Sequence, residues 1–388
     1  MTGLFDPLSA ATRDDPFAAY ARLRESEPCA WSAETGSWVV SRYDDCKMVL
    51  RDSELFARDP ARVGRPKPER THSIQTEDPP HQFALRRRML RALHAQELRS
   101  IAAESVQIVV DTVDEVPRGG EIDLLSRVFA PAAMHLVTQT LGVDGPDPAE
   151  YLRHSHDLTR GMDSGLDPDR LAPAQAAGDT VRSYVATWFA AVPDRGFLKL
   201  VDDDDLVAAE LAQRGELYLR NTVAGIFNAG FSTAFAMAAG LACLDHVDPQ
   251  ALERARTASD RTVAANELVR YLSPAQATSR SAIHDVEISG TPVPAGSTVI
   301  TLMAAANRDP RAFDEPDVLN FERVDNQHLG FAWGPHVCLG ARLALAWIEE
   351  LVERKSDWID RLDMTQVRYL DSATLRTLAV LTARKDEA

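Results

Sequence analysis

One cysteine, Cys338, stands near the end of the string His328-Leu329-Gly330-Phe331-Ala332-Trp333-Gly334-Pro335-His336-Val337-Cys338-Leu339-Gly340, which runs straight into the helix-forming stretch Ala341 to Glu353. The pattern predicts a strand-to-helix turn with a thiol at its tip. Backbone N–H groups at a helix start favour negative charge, so a thiolate there is stabilised and its pKa is expected to fall. A lone stabilised thiolate calls for a cation. A free cysteine is otherwise most often a small buried hydrophobe. That reading fits Cys29, Cys46 and Cys243, none of which has such a setting.

A chain of 388 residues has room for two or three domains, but no Gly/Ser linker, repeat or low-complexity tract divides it. One domain spanning 1–388, mainly α with a minor β-sheet region, is expected. The net charge of −16 argues against a general affinity for nucleic acid, though not against a local basic patch. Four cysteines without a pairing pattern or a signal peptide read as a reduced cytoplasmic protein. Asn221 to Leu244 is long and apolar enough to suggest a membrane span. Asn228, Ser232, Thr233 and its Gly/Ala content favour a helix buried on all sides, and no membrane association is expected.

Helical patterning is read over Gln82–Leu93, Glu97–Asp114, Ile122–Leu141, Arg170–Ala191, Asp205–Arg214 and Glu216–Leu244, with another helix ending at Glu267–Tyr271. Phe56 to Pro80 reads as a long loop, and loops of that length in a compact domain are usually functional. Val286 to Ala304, with Pro292, Pro294 and Gly296, reads as a small strand pair.

The spacing of Phe331, Gly334, His336, Cys338 and Gly340 resembles the haem-ligand loop of cytochromes P450, where one cysteine thiolate is the axial iron ligand. The resemblance extends from Asp15 to Val380. It implies a cytochrome P450-like fold, haem b as cofactor, Cys338 as metal ligand, and Phe331 and Gly340 among the cofactor-binding residues. Glu267-Leu268-Val269-Arg270 places opposite charges on one helix face. Such a pair is usually solvated and weak. In the family a Glu-x-x-Arg pair stands at this place and is joined by a later arginine, matched here by Arg323, to brace the ligand loop.

Ala229-Gly230-Phe231-Ser232-Thr233 resembles the oxygen-activation segment of the family's long central helix, with Gly230, Ser232 and Thr233 as its catalytic residues. A threonine there can bond the carbonyl of Ala229 or Gly230, and Gly230 leaves a bend unfilled, making room for dioxygen and water. Without the resemblance, the same segment reads as small residues packed against neighbours. The family most often has a carboxylate where Ser232 stands, and a hydroxyl relays protons without being a charged reservoir. Asp78 to Arg86 resembles the segment carrying a propionate-binding arginine, with Gln82 where many members have histidine; Arg86, Arg280 and His336 complete the expected propionate donors.

Arg87, Arg88 and Arg91 are left over on the same helix and are expected to receive an acidic ferredoxin, itself reduced by a ferredoxin reductase. Trp347, where the family usually has a carboxylate, is expected to reshape that surface, and Ala332, replacing a common glycine, to stiffen the loop. Substrate is expected to meet Phe56–Thr76, Leu158–Arg182, Phe227–Thr233, Ser273–Ser279 and Thr374–Leu378. If Arg58, Arg62, Arg65, Lys67 or Arg70 reaches the pocket, an anionic small molecule is preferred. Three functions follow: a monooxygenase inserting one oxygen atom from dioxygen into a small organic substrate in bacterial secondary metabolism or catabolism; a P450-type enzyme of coupling, ring-forming, peroxide- or NO-linked chemistry; and a P450-like binding or recruiting protein with little catalysis.

Overall fold

The protein is described by a computed structural model over residues 6–190 and 193–387. Its principal helices are α1 (Phe17–Ser26), α2 (Tyr43–Arg51), α3 (Phe83–His94), α4 (Leu98–Glu115), α5 (Ala130–Leu141), α6 (Pro148–Gly161), α7 (Leu171–Ala190), α8 (Glu216–Val247), α9 (Arg261–Leu272) and α10 (Ala341–Glu353). The strands are β1 (Cys29–Ser32), β2 (Ser37–Val40), β3 (Phe56–Ala57), β4 (Glu121–Asp123), β5 (Ala277–Ala282), β6 (Val286–Ile288), β7 (Thr291–Val293), β8 (Thr298–Leu302), β9 (Leu362–Tyr369) and β10 (Leu378–Lys385). They form a mixed sheet in the order β1-β2-β8-β5-β3, a three-stranded sheet β4-β10-β9 and the hairpin β6-β7.

The expected helix Ile122–Leu141 is interrupted. Residues 121–123 pair with β10 as β4, Leu125–Phe129 form a π-helical turn, and α5 begins only at Ala130. Of the expected strand pair, Val286–Val293 forms the hairpin, whereas β8 leaves it to run parallel to β2. The reading of 170–191 ends at a residue outside those described. Helix α6 escaped the periodicity reading, although its start is signalled: Asp147 accepts from the Glu150 amide at 2.7 Å and Pro148 occupies the first helical position.

Helix α8 organises the core. Phe227, Phe231 and Phe235 recur every fourth residue and are fully buried. Tyr151 of α6 meets Phe227 and Phe231 with ring centroids 4.8 Å away, and Trp188 of α7 meets Phe227 at 4.9 Å. Burial of each such ring contributes roughly 1.5–3 kcal/mol. Long and apolar enough to cross a membrane, α8 is nonetheless a core helix: 56% of its most apolar window is buried inside the protein. Anchoring one face in aromatic rings leaves the opposite face, about 200° round the helix, for another purpose.

Candidate functional site

The loop that carries Cys338 is built without the expected strand. No ladder forms between Asn307 and Cys338; individual hydrogen bonds shape the chain instead. The Leu329 amide donates to Asn307 Oδ1 at 2.7 Å, Ala332 to the Leu329 carbonyl at 2.8 Å, and Cys338 to the Phe331 carbonyl at 2.8 Å. Two glycines are required by close approach. A Cβ on Gly330 would lie 2.7 Å from Val269 Cγ1 on α9, and one on Gly334, at φ +72°, 2.7 Å from the Arg51 Cα at the end of α2. Ala332 adopts φ +58°, so its alanine does more than stiffen the loop: it holds a left-handed conformation that costs about 1–2 kcal/mol.

Cys338 has open surface at its side chain, yet burial among protein atoms raises its thiol pKa. Both hold for a group on the wall of an interior space. The Gly340 amide and the Arg86 charge pull the pKa back without reversing it. The expectation of a lowered thiol pKa is therefore overturned by desolvation. Only a bound cation would hold this sulfur as a thiolate. Among the described residues no group of three or more His, Cys, Asp or Glu side chains converges to hold a metal, so a metal at Cys338 must bring its other ligands with it.

Beside the loop, Glu267 and Arg270 are fully buried on α9. Arg270 donates through Nε and Nη2 to the two Glu267 oxygens at 2.8 and 2.7 Å, and through Nη1 to the Asn307 and Pro316 carbonyls at 2.8 and 2.7 Å. Glu267 also accepts from the Asn320 amide at 2.9 Å and Asn326 Nδ2 at 3.0 Å, with Arg323 Nε 3.3 Å away. The three expected members come together, and the carboxylate gathers the 320–326 segment that leads into the ligand loop.

On α8, Ala229 and Thr233 are exposed in the middle of a buried helix, on the face opposite Phe231. Thr233 Oγ1 donates to the Ala229 carbonyl at 2.7 Å, and Ser232 Oγ reaches the same carbonyl at 3.4 Å. Ser232 itself is only 6% exposed, so the two hydroxyls do not face the same space. Gly230 departs from expectation. A Cβ there would lie 2.9 Å from Val137 Cγ2, so the missing side chain lets α5 approach α8.

The expected propionate donors assemble around the Cys338 loop. Arg86, 8% exposed, hydrogen-bonds the Val337 carbonyl through Nη2. His336 Nε2 lies 2.9 Å from Asp78 Oδ1 and 3.3 Å from the Gln82 amide nitrogen. Asp78, despite a burial cost, is held down to about 2 by His336 and by the amides of Asp59 and Arg58. A ring N–H that donates to Asp78 cannot accept from Gln82, so the amide turns its oxygen to the ring. The other terminal position of Gln82, fully buried and without a partner among the described residues, then carries the NH2 group. Arg280, 4% exposed, has its pKa lowered to about 9, first by burial and then by Arg58. The residues present therefore fit a dianionic, iron-bearing macrocycle.

Other expectations are redirected. Arg88 is paired with Asp204 at 2.9 Å, leaving Arg87 and Arg91 exposed. Trp347 is 1% exposed and donates to Ser105 Oγ at 2.9 Å, so it belongs to the core and not to a docking surface. In the basic loop, Lys67 pairs with Asp59 at 2.7 Å, Arg62 lies 3.4 Å from Asp78, Arg65 binds Thr298 Oγ1 at 2.8 Å, and Arg70 is exposed. Arg58 alone turns toward the site, meeting Thr278 and Ser279. One connection was invisible in sequence. Asp163, just beyond α6, accepts from Ser372 Oγ, the Ala373 amide and both Thr374 donors at 2.7–3.1 Å, tying together two segments expected to face substrate.

A lone exposed cysteine just before α10, buried cations beside its loop and a hydroxyl-bearing helix face define a haem-thiolate protein. The family model for cytochrome P450 matches residues 216–352. The chain is 30% identical over 373 residues to 6-deoxyerythronolide B hydroxylase of Saccharopolyspora erythraea, covering 89% of this chain and 88% of that one. It is 32% identical over 350 residues to nocardicin C N-oxygenase of Nocardia uniformis, covering 87% and 84%. The crystal structure of CalO2 superposes with a TM-score of 0.82 at 25% identity, covering 99% of both chains. The chain belongs to the cytochrome P450 family. Its cofactor is haem b, and it is a monooxygenase that takes electrons from redox partners and acts on a small molecule.

Proposed function

We propose that the chain is a single haem domain in which Cys338 would ligate the iron, Arg86, Arg280, Gln82 and His336 would receive the propionates, and Phe331 and Gly340 would line the cofactor site. The observation that carries this reading is the setting of Cys338: an exposed residue whose amide is held by the Phe331 carbonyl, beside the Val337 carbonyl that Arg86 binds. Activation of dioxygen and insertion of one oxygen atom is the chemistry haem b supplies when bound through a thiolate. The protein's part is orientation and proton management. Thr233 donates its own proton to the Ala229 carbonyl, leaving its lone pairs to accept from water on the exposed face of α8. It can hand a proton onward only by exchanging that bond, and its exposure supports proton relay at Thr233 Oγ1 rather than at the buried Ser232.

The substrate is a small organic molecule of bacterial secondary metabolism or catabolism, a reading supported by relatives named as a hydroxylase, an N-oxygenase and 20-oxo-5-O-mycaminosyltylactone 23-monooxygenase. The commitment of Lys67, Arg62 and Arg65 to local partners removes most of the support for an anionic substrate. A ferredoxin and ferredoxin reductase in the cytoplasm would supply electrons, met by the exposed Arg87 and Arg91. Ser232 in place of a carboxylate favours a second reading, a P450 of coupling or ring-forming chemistry that has no need of a charged proton reservoir. Turnover with reductase, ferredoxin and labelled dioxygen separates the two. Insertion gives product carrying one labelled atom; coupling gives product carrying none.

A further inference from the structure

Arg58 and Arg280 donate to one oxygen, the Ser279 carbonyl, at 3.0 and 2.8 Å through their Nη1 atoms. Arg58 Nη1 also meets Thr278 Oγ1 at 3.3 Å. Neither guanidinium forms an ion pair with a carboxylate among the described residues. Asp78, the acid that acts on both, is saturated. Its Oδ1 accepts from the Arg58 amide at 3.2 Å and from His336 at 2.9 Å, and its Oδ2 from the Arg58 and Asp59 amides at 2.9 and 3.0 Å, with Arg62 at 3.4 Å.

Two cations sharing a carbonyl repel one another, and burial lowers the pKa of both arginines. Leaving such a pair uncompensated is among the costlier arrangements a fold can contain. Their position shows which anion answers them. Asp78 bonds both the Arg58 amide and His336, which stands two residues from Cys338, so the pair lies on the ligand-loop side of the site. His336 meanwhile has its Nε2 committed to Asp78.

We propose that Arg58 is a third cofactor-binding arginine of this chain, holding one haem propionate jointly with Arg280, while Arg86 serves the other. The proposal rests on the haem-thiolate reading above. Asp78 then has a positioning role: its carboxylate fixes the Arg58 backbone through two amide contacts. The signal was present in sequence only as one of five basic residues in a loop. What singles it out is that it follows β3 directly, and β3 pairs with the end of β5, the strand that carries Arg280.

The test uses purified holoenzyme: wild type, Arg58→Leu, Arg58→Lys and, as an exposed-loop control, Arg70→Leu. Two quantities are read, the propionate-bending band in the resonance Raman spectrum and the rate of haem transfer to excess apomyoglobin. Arg58→Leu is expected to shift the band and lose haem at least about tenfold faster, as removal of a charge-assisted hydrogen bond implies. Arg58→Lys should fall between it and wild type, and Arg70→Leu should match wild type. If Arg58→Leu yields no holoprotein, the band position in Arg58→Lys decides. An unchanged band with haem loss within about twofold of wild type would overturn the proposal and leave Arg58 as a brace for residues 278–279. Failure of the haem reading itself looks different, since wild-type protein would then carry no haem.

Discussion

Arg270 grips both carboxylate oxygens of Glu267, at 2.8 and 2.7 Å, from three residues further along the same helix, and neither side chain has any exposed surface. The pair faces the chain leading into the ligand loop and not the open face of α8, so it is structural. Glu267→Ala leaves the Arg270 and Arg323 charges uncompensated, an expected loss of about 3–5 kcal/mol. Denaturant unfolding and haem content measure it. Well-folded holoprotein with only a raised KM would contradict the structural role.

Thr233 and Ser232 differ in what they face. Thr233→Ala removes the exposed hydroxyl and is expected to lower the product formed per electron consumed by about tenfold or more, with reductant diverted to peroxide. Ser232→Asp restores the carboxylate usual in the family. Ordinary oxygen insertion predicts coupling that holds or improves; a coupling or ring-forming reaction predicts lower yield. Indifference to both substitutions would return residues 229–233 to helix packing.

Arg88 is spent on Asp204, so electron delivery is expected to depend on its exposed neighbours. Arg87→Glu with Arg91→Glu should slow reduction by ferredoxin and flatten its dependence on ionic strength, leaving substrate binding alone. Unchanged kinetics across a salt series would move the docking surface elsewhere.

Asp245 near the end of α8 is 9% exposed, and one of its oxygens has no partner among the described residues. Burial raises its pKa to about 6, with Lys355 opposing. A carboxyl whose folded pKa lies above its unfolded value favours the fold while protonated, and that contribution is lost as pH rises through about 6. Asp245→Asn is therefore expected to gain about 1–3 kcal/mol at pH 8 and almost nothing near pH 3, below both the folded and the unfolded pKa. Equal stability of the two proteins at pH 8, by urea unfolding, would show that the carboxylate is solvated.

The parts of the site legible in sequence were those written in short spacings. The loop around Cys338, the pair Glu267 and Arg270, and Thr233 one turn after Ala229 were marked by short spacings that resemble the family's; local pattern alone left the pair as a solvated one and residues 229–233 as packing, and it predicted a strand before Cys338 that does not form. Arg323 needed the resemblance to be noticed. What stayed hidden depends on partners far along the chain. Trp347 looks like a surface variant until Ser105 on α4 takes its N–H; Gly230 looks like an oxygen-site glycine until Val137 fills the space; Asp163 gives no sign that it will hold residues 372–374. Thiol acidity at Cys338 was misread for a related reason. The helix start is local and visible, whereas the desolvation that outweighs it is a property of the whole fold.

The whole site depends on the sulfur of Cys338, and the carbon monoxide difference spectrum of the reduced protein tests that dependence directly. The wild type is expected to absorb at the long-wavelength position that a thiolate ligand gives, and Cys338→Ala to lose that band, with Cys29→Ala, Cys46→Ala and Cys243→Ala retaining it. A thiolate-type band that persists in Cys338→Ala would contradict the assignment of the ligand, and with it the site.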